Sequence, residues 1–384
     1  MRQSSLIIVI ISTTLSSQIS VSAFTAATES LKFLIQQEKS FLRRRKNMMK
    51  NNSWSPLAQD RLEVEPQELV ERIPQLAKDE KYAQVVQNAW KNECPNDVAT
   101  EKSESLPYVY QDIDGNDCFG RLIRRTRRAT TPDGDDNINN KASSVPGIIF
   151  FHTAAGPHDI FLDWKANSLV TDTNIFPDDG GCVVLIADIL SDDVGWSWDV
   201  DRTKYNKSRN KLFETKENSG DGVIRPNLQN KISAALEAIK GVPGVDSNRL
   251  AAMGWCLGGH CILEMSRMNN INPNNGMNAM ITFHGVFDGM PPSQQLPPNK
   301  EDGCKILICN GEQDIFVPSL SLQNAIDTMK QRNHQVSLLN LAEAKHGFTN
   351  PAQGFNPNKA FGFNAEAAQT GWSSAKELLK STLN

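Results

Sequence analysis

Three side chains of this 384-residue chain could together carry out acyl transfer: Cys256, Asp314 and His346. Cys256 follows the apolar run Leu250–Trp255 and lies within Gly254-Trp255-Cys256-Leu257-Gly258-Gly259, ahead of a helix-like segment. A nucleophile raised on a sharp strand-to-helix turn leaves no room for Cβ atoms beside it, which accounts for glycine at 254 and 258. The N-terminus of the helix that follows favours negative charge, so a thiolate is stabilised there. Taken alone, so short a run fits a buried structural cysteine among packing glycines equally well. Asp314 ends the loop Asn310-Gly311-Glu312-Gln313-Asp314 after one apolar run, and His346 follows another. In the order nucleophile, acid, histidine, each just past a strand, the histidine takes the nucleophile's proton and the acid orients it. Read singly, Asp314 is a helix cap before Pro318 and His346 a loop residue.

The elements that would position these groups are legible as alternating patterns. Apolar runs at Ile148–His152, Val183–Asp188, Leu250–Trp255, Ala279–His284, Ile306–Asn310 and Val336–Leu341 read as strands buried on both faces. Between them Leu228, Ile232, Ala235, Leu236 and Ile239 share one helical face, Pro318–Arg332 reads as a second helix, and Trp372, Ala375 and Leu379 mark a C-terminal one. This alternation predicts an α/β fold, a mostly parallel sheet with helices on both faces, whose ligand site lies at the C-terminal strand ends. Upstream, Tyr108–Asp112 and Cys118–Ile123 flank Asp114-Gly115-Asn116, a hairpin signal. Asp112, Asp114 and Asp117 lack the glycine and terminal glutamate spacing of a calcium loop and read as a solvated turn. Residues 129–144 form a polar surface loop.

Composition narrows the field. With 39% hydrophobic and 22% charged residues the chain is ordinary for a globular protein, not a disordered one. A net charge of −4 gives no electrostatic reason to expect a nucleic-acid partner. Seven cysteines, an odd number thinly spread, match no disulfide scaffold. No apolar run reaches the roughly 18–20 residues of a membrane-spanning helix, and nothing in the sequence sets an oligomeric state.

Residues 105–384 resemble the dienelactone hydrolase family of α/β-hydrolases. The likeness rests on Gly254–Gly259, on Gly311-Glu312-Gln313-Asp314-Ile315-Phe316-Val317-Pro318, on His346-Gly347-Phe348 and on the opening hairpin at 108–123. It implies an α/β-hydrolase fold and hydrolysis of a small-molecule ester or lactone without metal or cofactor. Carried over to these positions, Cys256 attacks the acyl carbon, His346 shuttles the proton and Asp314 orients the imidazole. The N–H of Leu257 and a second N–H, placed at Ala154 in the loop after Ile148–His152, form the oxyanion hole. Name-giving members hold the resting cysteine with a glutamate in that loop. Here Thr153 stands at that place; a neutral hydroxyl cannot play the carboxylate's role, and Cys256 is expected to be governed by His346 and the helix N-terminus.

Pocket residues are less defined. Arg202 and Arg209 lie in the polar segment 191–222 and could bind a substrate carboxylate or belong to a solvated loop; Trp196 and Trp198 could line a pocket or anchor that loop. His284 ends a strand beside the nucleophile and reads as either a pocket or a structural residue. His152, His158 and His260 lack metal-ligand spacing and default to packing or surface roles. Cys261 falls on a different helix face from Cys256, which disfavours a redox pair. A fold-retaining binding protein without turnover and a redox sensor using Cys256 are the competing readings.

The N-terminus reads as an address. Met1-Arg2, the apolar run Leu6–Ile11 and Val21-Ser22-Ala23 form a signal peptide over 1–23. Residues 24–53 carry seven basic side chains against Glu29 and Glu38, a second targeting element. With Phe24 after the cleavage point, the arrangement resembles the two-part presequence of plastid proteins in algae whose plastids lie inside an ER-derived membrane; secretion is the alternative. Asn51 and Asn206 begin sequons that such a route would permit to be glycosylated. Residues 54–104 read as a helical, charged lead-in.

Overall fold

Ile148, Ile149, Phe150 and Phe151 are completely buried, and alternate members face opposite layers of core, which places this strand in the middle of a sheet covered on both sides. The computed structural model describes residues 103–125, 144–172, 174–177, 181–190, 203–218, 222–288, 303–356 and 358–384. The expected targeting segments over 1–53 and nearly all of the 54–104 lead-in lie outside the described residues, as do most of the loop at 129–144 and the sequon at Asn51.

Strands β1 (Ser103–Gln111) and β2 (Asp117–Arg125) form the hairpin, and its turn is built by Asp112, which accepts from the backbone of Asp114 and Asn116 and pairs with Lys231 at 3.0 Å. Then follow β3 (Val145–Phe151), α1 (Ile160–Val170), β4 (Val183–Ala187), α2 (Thr203–Leu212), a short hairpin of β5 (Lys216–Asn218) and β6 (Gly222–Ile224), and α3 (Pro226–Lys240). The rest is β7 (Val245–Trp255), α4 (Gly258–Arg267), β8 (Met277–Phe283), β9 (Lys305–Gly311), α5 (Ser319–Gln331), β10 (Gln335–Leu341) and α6 (Ala365–Leu383). Eight strands are ordered β1-β2-β4-β3-β7-β8-β9-β10; β2 runs antiparallel to both its neighbours and the remaining pairings are parallel.

One core layer packs α3, α4 and α5 on the sheet through Ile232, Ile262 and Ile326; the other packs α1 and α6 through Trp164, Trp372 and Leu379. The α/β fold with helices on both faces is therefore as expected. Two expectations need correction. Val336–Leu341 was expected to be buried on both faces, but β10 is an edge strand with Ser337, Leu338 and Asn340 exposed, because nothing among the described residues pairs beyond it. The polar segment 191–222 is not simply a solvated loop: it contains α2, whose Tyr205 and Leu212 are buried, and β5, which pairs with β6 at the segment's end.

The chain moves to one side of β3 to form β4 and to the other to form β7, so the sheet has a topological switch between β3 and β7. Crevices form at the C-terminal ends of strands on either side of such a reversal. Cys256 follows β7 at that point.

Candidate active site

Cys256 adopts φ 52°, a left-handed conformation that a side-chain-bearing residue holds only when its surroundings over-determine it. Three backbone bonds do so. Its N–H donates to Phe283 O at 3.2 Å, and its carbonyl accepts from Gly259 N and Val286 N, each at 3.0 Å. The glycines are sterically obligatory. A Cβ on Gly254 would lie 2.3 Å from Gly258 O, and one on Gly258 would lie 2.3 Å from Phe151 O. Cys256 is partly exposed on this turn, two residues ahead of α4.

Asp314 and His346 arrive from the ends of β9 and β10. The two loops are stitched together by Glu312 N to Leu341 O and Gln313 N to Ala344 O, both at 2.9 Å. The Asp314 side chain is fully buried; Oδ1 accepts from Phe316 N at 2.9 Å, and Oδ2 lies 2.7 Å from His346 Nδ1. His346 Nε2 lies 3.1 Å from Cys256 Sγ. One imidazole thus bridges sulfur and carboxylate. Burial alone would pull its pKa down, but the charge on Cys256, reinforced by hydrogen bonds to Asp314 and Cys256, pushes it up to about 10. The ring is boxed by Phe316, Phe361 and His284, with centroids 5.0, 5.2 and 5.1 Å away. Phe316 is 37% exposed and Ile315 is 71% exposed, so the rim beside His346 is apolar.

His284 is buried, with φ 39°; Nε2 meets Thr349 Oγ1 at 2.9 Å, while Nδ1 has no hydrogen-bond partner among the described residues. Burial, and then the charge on His346, hold it well below the usual histidine pKa, so it is neutral. Its ring packs edge-on against His346 and Phe348, with centroids 5.1 and 5.4 Å away. Thr153 directs its hydroxyl into its own loop, accepting from Ala155 N at 3.1 Å and meeting Asp159 Oδ2 at 3.4 Å. The N–H groups of Leu257 and Ala154 have no acceptor among the described residues. Trp196, Trp198 and Arg202 lie outside the described residues.

Arg209 is on α2, not in a loop, and its guanidinium is engaged: Nη2 pairs with Asp288 at 2.9 Å and the group lies over Phe213 at 4.9 Å. Asp288 also meets His260 Nε2 at 3.1 Å, and the buried Arg225 reaches His260 Nδ1 at 3.1 Å and lies over the Phe213 ring at 4.8 Å. Burial lowers the His260 pKa to about 4. Neither Asp288, Arg225 nor Phe213 was singled out in the sequence, because a pairing of four distant segments leaves no local pattern. His152, for which packing and surface roles are the expectations, is a packed residue, buried and hydrogen-bonded at both ring nitrogens. Cys261 is fully buried in the core, where desolvation raises its thiol pKa well above the ordinary value. Among the described residues no group of three or more His, Cys, Asp or Glu side chains is disposed to hold a metal ion, and no helix is long and apolar enough to cross a membrane.

Comparison with known proteins gives a consistent picture. The model of the dienelactone hydrolase family matches residues 137–383. An uncharacterized protein of Caenorhabditis elegans is 31% identical over 160 residues, covering 42% of this chain and 94% of the relative. Among solved structures, a dienelactone hydrolase-like promiscuous phosphotriesterase from metagenomic libraries superposes with a TM-score of 0.56 at 22% identity, over 73% of this chain and 99% of the other. A structure known as m3DLH superposes with a TM-score of 0.53 at 20% identity, over 73% and 99% of the two chains. The structural likenesses establish the fold.

Proposed function

Because the chain belongs to the dienelactone hydrolase family, we propose that it hydrolyses esters or lactones without a cofactor, using Cys256 as nucleophile, His346 as acid and base, and Asp314 as the group that orients the imidazole. One observation carries this reading: a single imidazole bridging Cys256 Sγ at 3.1 Å and Asp314 Oδ2 at 2.7 Å. In the first half-reaction the thiolate attacks the acyl carbon and the carbonyl electrons move onto oxygen, which accepts from the Leu257 and Ala154 N–H groups. The tetrahedral species collapses, the C–O bond to the leaving group breaks, and His346 Nε2 gives its proton to that oxygen. A thioester on Cys256 remains. Neutral His346 then takes a proton from water, the hydroxide attacks the thioester, and the thiolate departs with the imidazolium restored beside it. Asp314 keeps Nδ1 protonated throughout, so Nε2 is the nitrogen that exchanges the proton.

The test is a panel of esters and lactones on wild type and Cys256→Ala, with mass spectrometry of enzyme quenched during a single turnover of an activated ester. The expected results are an acyl adduct on Cys256 and a loss of about 10³-fold or more in the alanine variant. Undiminished turnover in Cys256→Ala overturns the nucleophile, and binding without acylation in the wild type favours a binding protein.

We further assign residues 1–53 to targeting to an ER-enclosed plastid. A fluorescent protein fused behind them and expressed in an alga of that type should enter the plastid; export to the medium would overturn the assignment.

A further inference from the structure

The loop that carries Ala154 is held by a side chain with no part in the steps above. His152 follows β3 directly and is completely buried. Its Nε2 lies 3.2 Å from the Ile189 N–H. A backbone N–H can only donate, so Nε2 is the acceptor and carries no proton. The proton of the neutral ring is therefore on Nδ1, which lies 2.6 Å from the Thr153 carbonyl oxygen and donates to it. Burial lowers the pKa of this imidazole, against the opposing pull of Asp188 and of the Thr153 carbonyl, which keeps the ring in the neutral tautomer that its contacts require.

The Thr153 carbonyl also accepts from Gly156 N at 3.1 Å, so it is clamped by two donors. The Thr153–Ala154 peptide is trans, and in a trans peptide the N–H points opposite to the C=O. Clamping one end of the unit aims the other. The loop leaves the sheet beside the nucleophile: Phe151 pairs in register with Gly254, the Phe151 carbonyl abuts Gly258 at the start of α4, and Ala154 packs on the core cluster that includes Leu257. Through Ile189 the His152 arm of the clamp is anchored on the residues following β4, while the Gly156 arm lies within the loop, so the sheet is coupled through His152 to the direction of the Ala154 N–H.

We propose that His152 is a positioning residue of the oxyanion hole, fixing the Thr153–Ala154 peptide so that the Ala154 N–H meets the oxyanion formed at Cys256. The proposal rests on the reading of Cys256 as nucleophile and goes beyond it by naming what builds the second donor.

The test compares His152→Leu, His152→Asn and Cys256→Ala, using p-nitrophenyl butyrate for turnover and iodoacetamide for alkylation of Cys256. Alkylation displaces iodide at a saturated carbon and builds no oxyanion, so it reports the Cys256–His346 pair without the hole. His152→Leu should lower kcat by about 10²–10³-fold, the usual loss on removing one oxyanion donor, with KM little changed and alkylation as fast as in wild type. His152→Asn, whose side-chain N–H can take the place of Nδ1–H, should recover part of the loss. Unchanged kcat in His152→Leu overturns the proposal, and so does an equal loss of turnover and alkylation, which would mark a residue that merely supports the fold. Should the leucine variant fail to fold, His152→Gln replaces it: glutamine can reach Ile189 without supplying the donor to Thr153 and should be slower than asparagine, and equal or reversed rates overturn the proposal. Cys256→Ala separates the two levels. Turnover that survives in it removes the nucleophile, whereas an inactive Cys256→Ala beside a fully active His152→Leu removes only the role of His152.

Discussion

The rings of His284 and His346 meet edge to face, 5.1 Å apart and inclined by 69°, and their environments drive their protonation in opposite directions. His284 has no acid beside it among the described residues, and burial and the charge on its neighbour keep it neutral. His346 is buried too, but the charge on Cys256 and the bonds to Asp314 and Cys256 outweigh that and raise it from 6.5 to about 10. Proton exchange is thereby confined to one of two adjacent imidazoles.

A nitrogen-detected NMR titration should find His346 protonated through neutral pH and deprotonating near pH 10, with His284 neutral throughout. An anion beside an imidazole stabilises its cation, so removing the anion must lower the midpoint. Cys256→Ala and Asp314→Asn should each move the His346 midpoint downward. A midpoint that stays near 10 in both variants would mean that the raised value has another source.

Alkylation of Cys256 should depend on His346 far more than on the loop after β3. The Thr153 hydroxyl bonds within its own loop and carries no charge. His346→Ala should slow iodoacetamide alkylation at neutral pH by about tenfold or more, the effect of losing about 1.4 kcal/mol of thiolate stabilisation. Thr153→Ala should leave the rate near wild type. Equal rates in wild type and His346→Ala would show that the imidazole does not set the reactivity of the thiol.

The turn at Cys256 should tolerate no side chain at its flanking glycines. A methyl group at 254 or 258 would come within 2.3 Å of backbone oxygen, and neither the start of α4 nor the end of β3 can retreat without breaking sheet or helix bonds. Gly254→Ala and Gly258→Ala should each cost about 1–3 kcal/mol in urea unfolding, the range for overpacked interiors, or more. Gly115, whose added Cβ would meet nothing within 4 Å, sits in the β1–β2 turn and serves as the contrast: there φ +80° is the main strain in Gly115→Ala.

The two arginines that flank Phe213 should differ sharply in what their loss costs. Arg209 and Asp288 are 30% and 50% exposed, and a pair so open to water contributes about 0–1 kcal/mol. Arg225 is buried against His260 and also reaches the Asp288 carbonyl, so its removal leaves the buried Nδ1 of His260 without that donor and should cost about 1–3 kcal/mol. Urea unfolding of Arg209→Ala and Arg225→Ala reads the difference directly. Similar costs for the two would mean that the exposed Arg209 pair contributes as much as the buried contacts of Arg225.

Much of the fold was legible because its signals are local. Each central strand is a short apolar run with both faces covered, and α3, α5 and α6 carry their core-facing stripe in the spacing of their own residues. Element ends shifted by one residue at each end of Lys305–Gly311, by three at the start of Val145–Phe151 and by five at the start of Val245–Trp255, where caps and the last ladder bonds decide. The exposed face of β10 was not legible: Val336–Leu341 is as apolar in sequence as an interior strand, and its edge position follows only from the order of the sheet. The helix α2 was hidden for the opposite reason, since only Tyr205 and Leu212 of its ten residues are buried and its apolar stripe is too sparse to show.

By itself the sequence determined which groups could do chemistry and that they follow strands: Cys256 between glycines that a sharp turn requires, then an acid, then a histidine. Whether a sulfur and a carboxylate 58 positions apart share one imidazole 32 positions further on is not written in any local pattern. It was decided by the sheet, which brings the ends of β7, β9 and β10 to one edge, and by backbone bonds that join the two loops after β9 and β10. The same holds for His152, whose tautomer and task are set by a carbonyl next to it and an amide 37 residues away. Turn chemistry and periodicity act over a few residues and leave their mark in the chain. Proton positions depend on what is packed within about 3 Å, and only the folded protein supplies that neighbour.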